Sequence, residues 1–168
     1  MTVNNLRELF VHDLEDMYYA ENELLDALEE LADQTENEEI AQAFREHREE
    51  TQGHIERLDQ VFEMLGQKPE KEKCEGIEGL LTEHEEFVDE APDQTVLGVH
   101  NLVAAQKTEH YEIASYGNLA LIADRLGMDD AGDLLHENLE EEQDALDKLA
   151  SLTDNFDYES MIESTAAD

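Results

Sequence analysis

The chain has 168 residues, 46 of them acidic and 10 basic, with a formal charge of −36 and an isoelectric point near 4.1. That length holds one domain with a substantial core and is too short for two, and the charge repels nucleic acid and anionic membranes as partners. With 40% hydrophobic residues at regular spacing the chain is no disordered acidic tail; its acid lies on faces, which suits multimolar salt, where the Debye length falls to about 3 Å, and points to the salt-accumulating cytoplasm of a halophile.

Few prolines and glycines and long periodic segments predict a mostly helical protein. The first segment runs from about Asn5 to Ala32, with Asn5 and Glu8 spaced as a capping box. Its apolar stripe reads Leu6, Phe10, Leu14, Met17, Leu24, Leu28 and Leu31, and Glu21 occupies the missing step. After a polar turn, Thr35 and Glu38 repeat the capping signature before a second helix that ends at Gly66. Ile40, Phe44, Leu58, Val61, Phe62 and Leu65 form its buried side, and His47, Glu50, Thr51 and His54 fill the middle of that stripe.

Residues 66–73 form a charged connection that leads into a shorter helix, about Gly76 to Glu90, read as a crossover between the ends of a bundle. The single cysteine, Cys74, excludes an internal disulfide and any cysteine metal cluster, and fits a reducing compartment. Pro92 and Asp93 start a third long helix, roughly Gln94 to Leu126, which carries Glu109 and Glu112 three apart on one otherwise apolar face. Gly127 breaks the chain before a fourth, about Asp129 to Leu152, where Glu141 falls within the apolar stripe beside Glu142. Residues 1–153 are thus expected to form the bundle domain and 154–168 a polar, loose or partner-docked tail. Neither a signal peptide nor a membrane span is expected.

In an antiparallel hairpin, residues equidistant from the turn lie side by side. Glu21 and Glu50 are centred on the first turn, and Glu112 and Glu141 on the second, with the same separation of 29 residues. Each glutamate then lies about 22 Å from its turn, and two equal hairpins can bring all four to one level. Ionised carboxylates are costly to bury unless paired or metal-bound. The implied site is therefore the carboxylate-bridged dinuclear centre of ferritin-like four-helix bundles, holding iron or manganese, with zinc as a possible occupant. The expected ligands are Glu21, His47, Glu50, Glu109, Glu112 and Glu141, with Glu142 and His54 in reserve. The usual Glu-x-x-His is replaced here by His47-x-x-Glu50, and the fourth helix has no histidine near Glu141, which makes Glu109 the natural substitute.

The runs AFREHREETQGHIERLDQVF, AAQKTEHYEIASYGNLA and LLHENLEEE resemble the YciF-like proteins, a ferritin-like family associated with stress responses. The resemblance spans residues 3–152 and is most specific at EHYEIASYG. It implies four long helices plus a crossover helix, pairing as a homodimer, and a rubrerythrin-like dinuclear centre at Glu21, His47, Glu50, Glu109, Glu112 and Glu141; His54 and His136 fall outside its pattern. Two functions follow. One is a metal protein whose iron or manganese reacts with oxygen or peroxide, with Tyr18, Tyr19, Tyr111 and Tyr116 near the ligands. The other is a helical module acting by protein association, its buried carboxyls protonated or hydrogen-bonded. A histidine-based hydrolase lacks a nucleophile turn.

Overall fold

The computed structural model describes residues 3–69, 73–90 and 92–164. They are all-α, with the order α1 (Leu6–Gln34), α2 (Glu38–Leu65), α3 (Glu75–Asp89), α4 (Gln94–Arg125), α5 (Asp129–Asp154) and α6 (Glu159–Ser164). α1 pairs with α2 and α4 with α5 as antiparallel hairpins; α2 packs on α5, α1 on α4, and α3 lies against α4 as the crossover. This is the four-helix bundle with a crossover helix that the hairpin symmetry implies.

Local chemistry sets the ends. The Asn5 side chain accepts from the Glu8 amide at 3.0 Å, while the Glu8 carboxylate reaches back to the Asn4 amide, one residue earlier than a standard capping box. The box expected at Thr35 and Glu38 does not form. α1 runs on to Gln34, which leaves Thr35 at its C-terminus with its hydroxyl donated to the Leu31 carbonyl at 2.7 Å. Asn37 caps α2 instead, accepting from Glu39 and Ile40. The left-handed turns that end both hairpin partners' first or second long helices fall on Gly66 (φ +67°) and Gly127 (φ +70°), where a Cβ would be strained. Asp93 caps α4 through the Thr95 amide, as its place after Pro92 predicts.

Two apolar clusters fill the bundle. Phe10, Leu14, Leu58, Phe62, Leu119 and Leu135 meet toward one end, and Leu28, Leu31, Ile40, Phe44, Leu102 and Leu149 toward the other. Glu21, His47, His54, Glu109, Glu112 and Glu142 lie along their helices between residues of these two clusters, so a polar level interrupts the core. A third cluster, Ala20, Leu24, Cys74 and Ile77, seats α3.

The chain does not loosen at Thr153. α5 continues to Asp154, Phe156 packs against the second cluster, and α6 follows. Residues 70–72 of the expected connection and 165–168 of the expected tail lie outside the described residues. Among the described residues, no helix is long and apolar enough to cross a membrane.

Candidate metal centre

The polar level is built by Glu21 from α1, His47 and His54 from α2, Glu109 and Glu112 from α4, and Glu142 from α5, all buried. Their donor atoms form two groups. One is His47, Glu109, Glu112 and Glu142; the other is Glu21, His54 and Glu142; within each, the atoms lie no more than 4.8 Å apart. Glu142 belongs to both.

His47 Nε2 is 3.0 Å from Glu109 Oε1 and 3.5 Å from Glu142 Oε2. His54 Nδ1 is 2.9 Å from Glu142 Oε1 and 3.3 Å from Glu21 Oε1. Tyr116, fully buried one turn beyond Glu112, donates its hydroxyl to Glu21. Much else at this level is unpaired. One oxygen of Glu21, one of Glu109, both of Glu112, both of Glu142 and Nδ1 of His54 are buried without a hydrogen bond. His54 Nδ1 stands within ion-pair reach of Glu142 and Glu21 without a hydrogen bond, and the carboxylate oxygens, all acceptors, cannot satisfy one another, whereas buried polar atoms are ordinarily paired.

Glu50 and Glu141 stand outside this cluster. Half of the Glu50 side chain (49%) is exposed, and its carboxylate accepts from His47 Nδ1 at 3.2 Å. Glu141 lies 3.0 Å from His54 Nε2 and is gripped by both terminal nitrogens of Arg57, at 2.7 and 2.9 Å. Each of these acids thus holds the far nitrogen of one imidazole, fixing the ring and leaving the near nitrogen toward the cluster.

The register explains the exchange of Glu141 for Glu142. Each hairpin loop has three residues outside helix, Thr35–Asn37 and Leu126–Met128, so the turns centre on residues 36 and 127. About 127, Glu112 lies opposite Glu142; about 36, Glu21 lies opposite Thr51. A half-residue shift of centre rotates the partner helix position by a full residue, about 100°, and carries Glu141 toward Arg57 and Glu50 toward solvent. His54, a turn beyond Glu50, faces inward in its stead. The legible signals are the cap at Asn37, which lengthens the first turn, and Arg57, the arginine of α2 nearest in level to Glu141.

Burial pushes the carboxyls of Glu21, Glu112 and Glu142 up, Glu112 furthest from the ordinary range because Glu142, Glu21 and Glu109 add their charge, and Glu142 to about 7. For His54 burial acts downward, but Glu142 and Glu21 outweigh it and hold the imidazole up at about 10. His47 is likewise raised well above its usual value, burial being overcome mainly by Glu109. Burial and Glu21 keep the Tyr116 hydroxyl protonated, hence a donor.

Four carboxylates and two imidazoles in an apolar core, several of their donor atoms unpaired, fit a pair of divalent cations: hard oxygen ligands with imidazole suit iron and manganese. The pattern departs from the common di-iron one, in which every helix gives a glutamate, because α2 contributes two imidazoles two turns apart and no buried glutamate.

Comparison with known proteins places these residues in context. The profile described as "Domain of unknown function (DUF892)" matches residues 5–161. The chain is 45% identical over 156 residues to Protein YciF of Escherichia coli (strain K12), covering 92% of this chain and 94% of that protein. The crystal structure of the E. coli stress protein YciF superposes with a TM-score of 0.87, covering 91% of this chain and 97% of that one. A structure of YcfI from Rhodopseudomonas palustris, assigned provisionally as a structural protein, is 44% identical with a TM-score of 0.85, covering 88% and 94%.

Proposed function

The chain belongs to the DUF892 family, and from that footing we propose that it is a ferritin-like dinuclear metal protein, carrying iron or manganese and reacting with oxygen or peroxide in protection against stress. The same reading includes a homodimer working in the cytoplasm. The observation that carries it is the set of buried, unpaired donor atoms at one level of the core. Burying four carboxylates against two imidazoles, with both oxygens of Glu112 unpaired, is costly, by several kcal/mol for each uncompensated ion. Two divalent cations would balance the charge of four carboxylates and displace the imidazole protons.

His47, Glu109 and Glu112 would hold one metal, Glu21 and His54 the other, and Glu142 would be shared between them. When bound, such a pair supplies two electrons to an oxidant and leaves coordination positions for it. The remaining work belongs to the chain. Tyr116 orients Glu21 through its hydroxyl, Glu50 and Glu141 fix the two imidazoles, and Arg57 anchors Glu141. The flanking apolar clusters exclude water from above and below, which strengthens every charge interaction at that level.

A second reading is favoured by the raised carboxyls. With Glu112 protonated and both imidazoles charged, the cluster can close without metal, and the protein would then serve as a helical association module, in line with the provisional description of the R. palustris relative. Elemental analysis of tag-free protein purified in high salt separates the two. The dinuclear reading expects about two iron or manganese per chain, lost on Glu112→Gln; metal-free protein that also refuses added metal would leave the association module.

A further inference from the structure

The seam between α1 and α4 is not closed beneath the crossover helix. A cleft with an interior of about 40 Å³ enters there and ends on His47, Glu109 and Glu112. Leu80 and Leu81 of α3 form its outer wall, Leu24 and Leu28 of α1 one side, and Ala104 and Ala105 of α4 the other.

Resting on the dinuclear reading above, we propose that this cleft is the binding pocket and entry path for dioxygen, which makes dioxygen rather than hydrogen peroxide the oxidant it serves. The size is the first argument. A single water needs roughly 10–15 Å³ measured in this way, so the interior holds one or two small molecules and no organic substrate.

The lining is the second argument. Above its floor the cleft is walled mostly by aliphatic side chains, with Thr108 and His84 the polar exceptions. The Thr108 hydroxyl is already donated to the Ala104 carbonyl at 3.2 Å. His84, the other polar side chain of the wall, lies stacked on His100 with ring centres 5.3 Å apart; burial holds its imidazole down, hence neutral, and its two unpaired ring nitrogens give a polar solute one point of contact among otherwise aliphatic walls. Hydrogen peroxide binds water as strongly as water itself does, and would give up that hydration along aliphatic walls. Dioxygen has no such hydration to lose, and apolar cavities of this kind stay dry and take up apolar guests.

Polar solutes have another approach. A cleft of about 110 Å³ between α2 and α5 reaches His47 from the opposite side, past Glu46, Glu50, Asp144 and Lys148. The two approaches can therefore be tested apart.

Crystals of metal-free protein under xenon pressure should show xenon between Leu24, Leu28, Leu81 and Ala105, and none in Ala104→Met, whose longer side chain fills the space. In iron-loaded protein studied by stopped flow, the ratio of the dioxygen to the peroxide rate constant should fall about tenfold in the same variant. Ala27→Leu, which narrows the mouth from α1, should act in the same direction if Ala104→Met fails to fold. No xenon in the cleft, or an unchanged ratio in a folded variant, overturns the proposal. Metal bound without xenon would overturn the cleft alone. Xenon bound by a protein that refuses metal would overturn the dinuclear reading, and the entry path with it, leaving only a gas-binding pocket.

Discussion

Glu142→Gln is expected to abolish uptake of both metals, whereas Glu50→Gln and Glu141→Gln each weaken binding by about tenfold to a hundredfold and leave the stoichiometry intact. Glu142 is the one carboxylate common to the two donor groups, so its loss removes a ligand from each and leaves three buried glutamates for two cations. Glu50 and Glu141 touch only the outer nitrogens of His47 and His54, and their loss frees the rings without emptying the site. Anaerobic calorimetric titration with ferrous or manganous ion reads both effects. Equal losses at Glu141 and Glu142 would contradict the register that turns one outward and the other inward.

The metal-free protein should become less stable as pH rises, opposite to ordinary acid denaturation. Glu142 holds its proton in the folded state up to about 7, while the unfolded chain releases it near 4.5. The folded state therefore binds more protons across that window. Stability falls progressively between pH 4.5 and 7, by roughly 3 kcal/mol in total. His54 acts in the same direction: raised to about 10, its contribution is fully present below about 6.5 and disappears as pH climbs through 10. Thermal melts in multimolar potassium chloride, which screens the surface charge, should show the metal-free midpoint dropping by roughly 10 °C from pH 5 to 8. Added manganese should reverse the slope, because the metal takes the place of the protons. A midpoint that rises with pH in the absence of metal would mean that the buried carboxyls are ionised and satisfied by some other means.

Much of this architecture is legible in the sequence because helical periodicity and hairpin symmetry are strong signals. The stripe of α1 with Glu21 at its missing step, and the Glu109 and Glu112 pair on an apolar face, locate a buried polar level before any coordinates are known. What is not legible is the register to within one residue. Caps decide it, and the competition between Thr35 and Asn37 for the start of α2 is settled by how far α1 continues. One residue of register is enough to exchange Glu141 for Glu142. The role of His54 is hidden for a related reason: an inward histidine and a histidine at the stripe's edge look alike until the facing helix brings Glu142 and Glu21 to its ring. The C-terminal segment is misleading because its polarity masks Phe156, a single aromatic that docks on the core.

The most direct test of the dinuclear centre is a manganese-soaked crystal read by anomalous scattering. Two peaks about 3.5–4 Å apart, flanking the Glu142 carboxylate within the cluster of Glu21, His47, His54, Glu109 and Glu112, are the predicted result. Manganese confined to the acidic surface, or a single peak in the core, would contradict it.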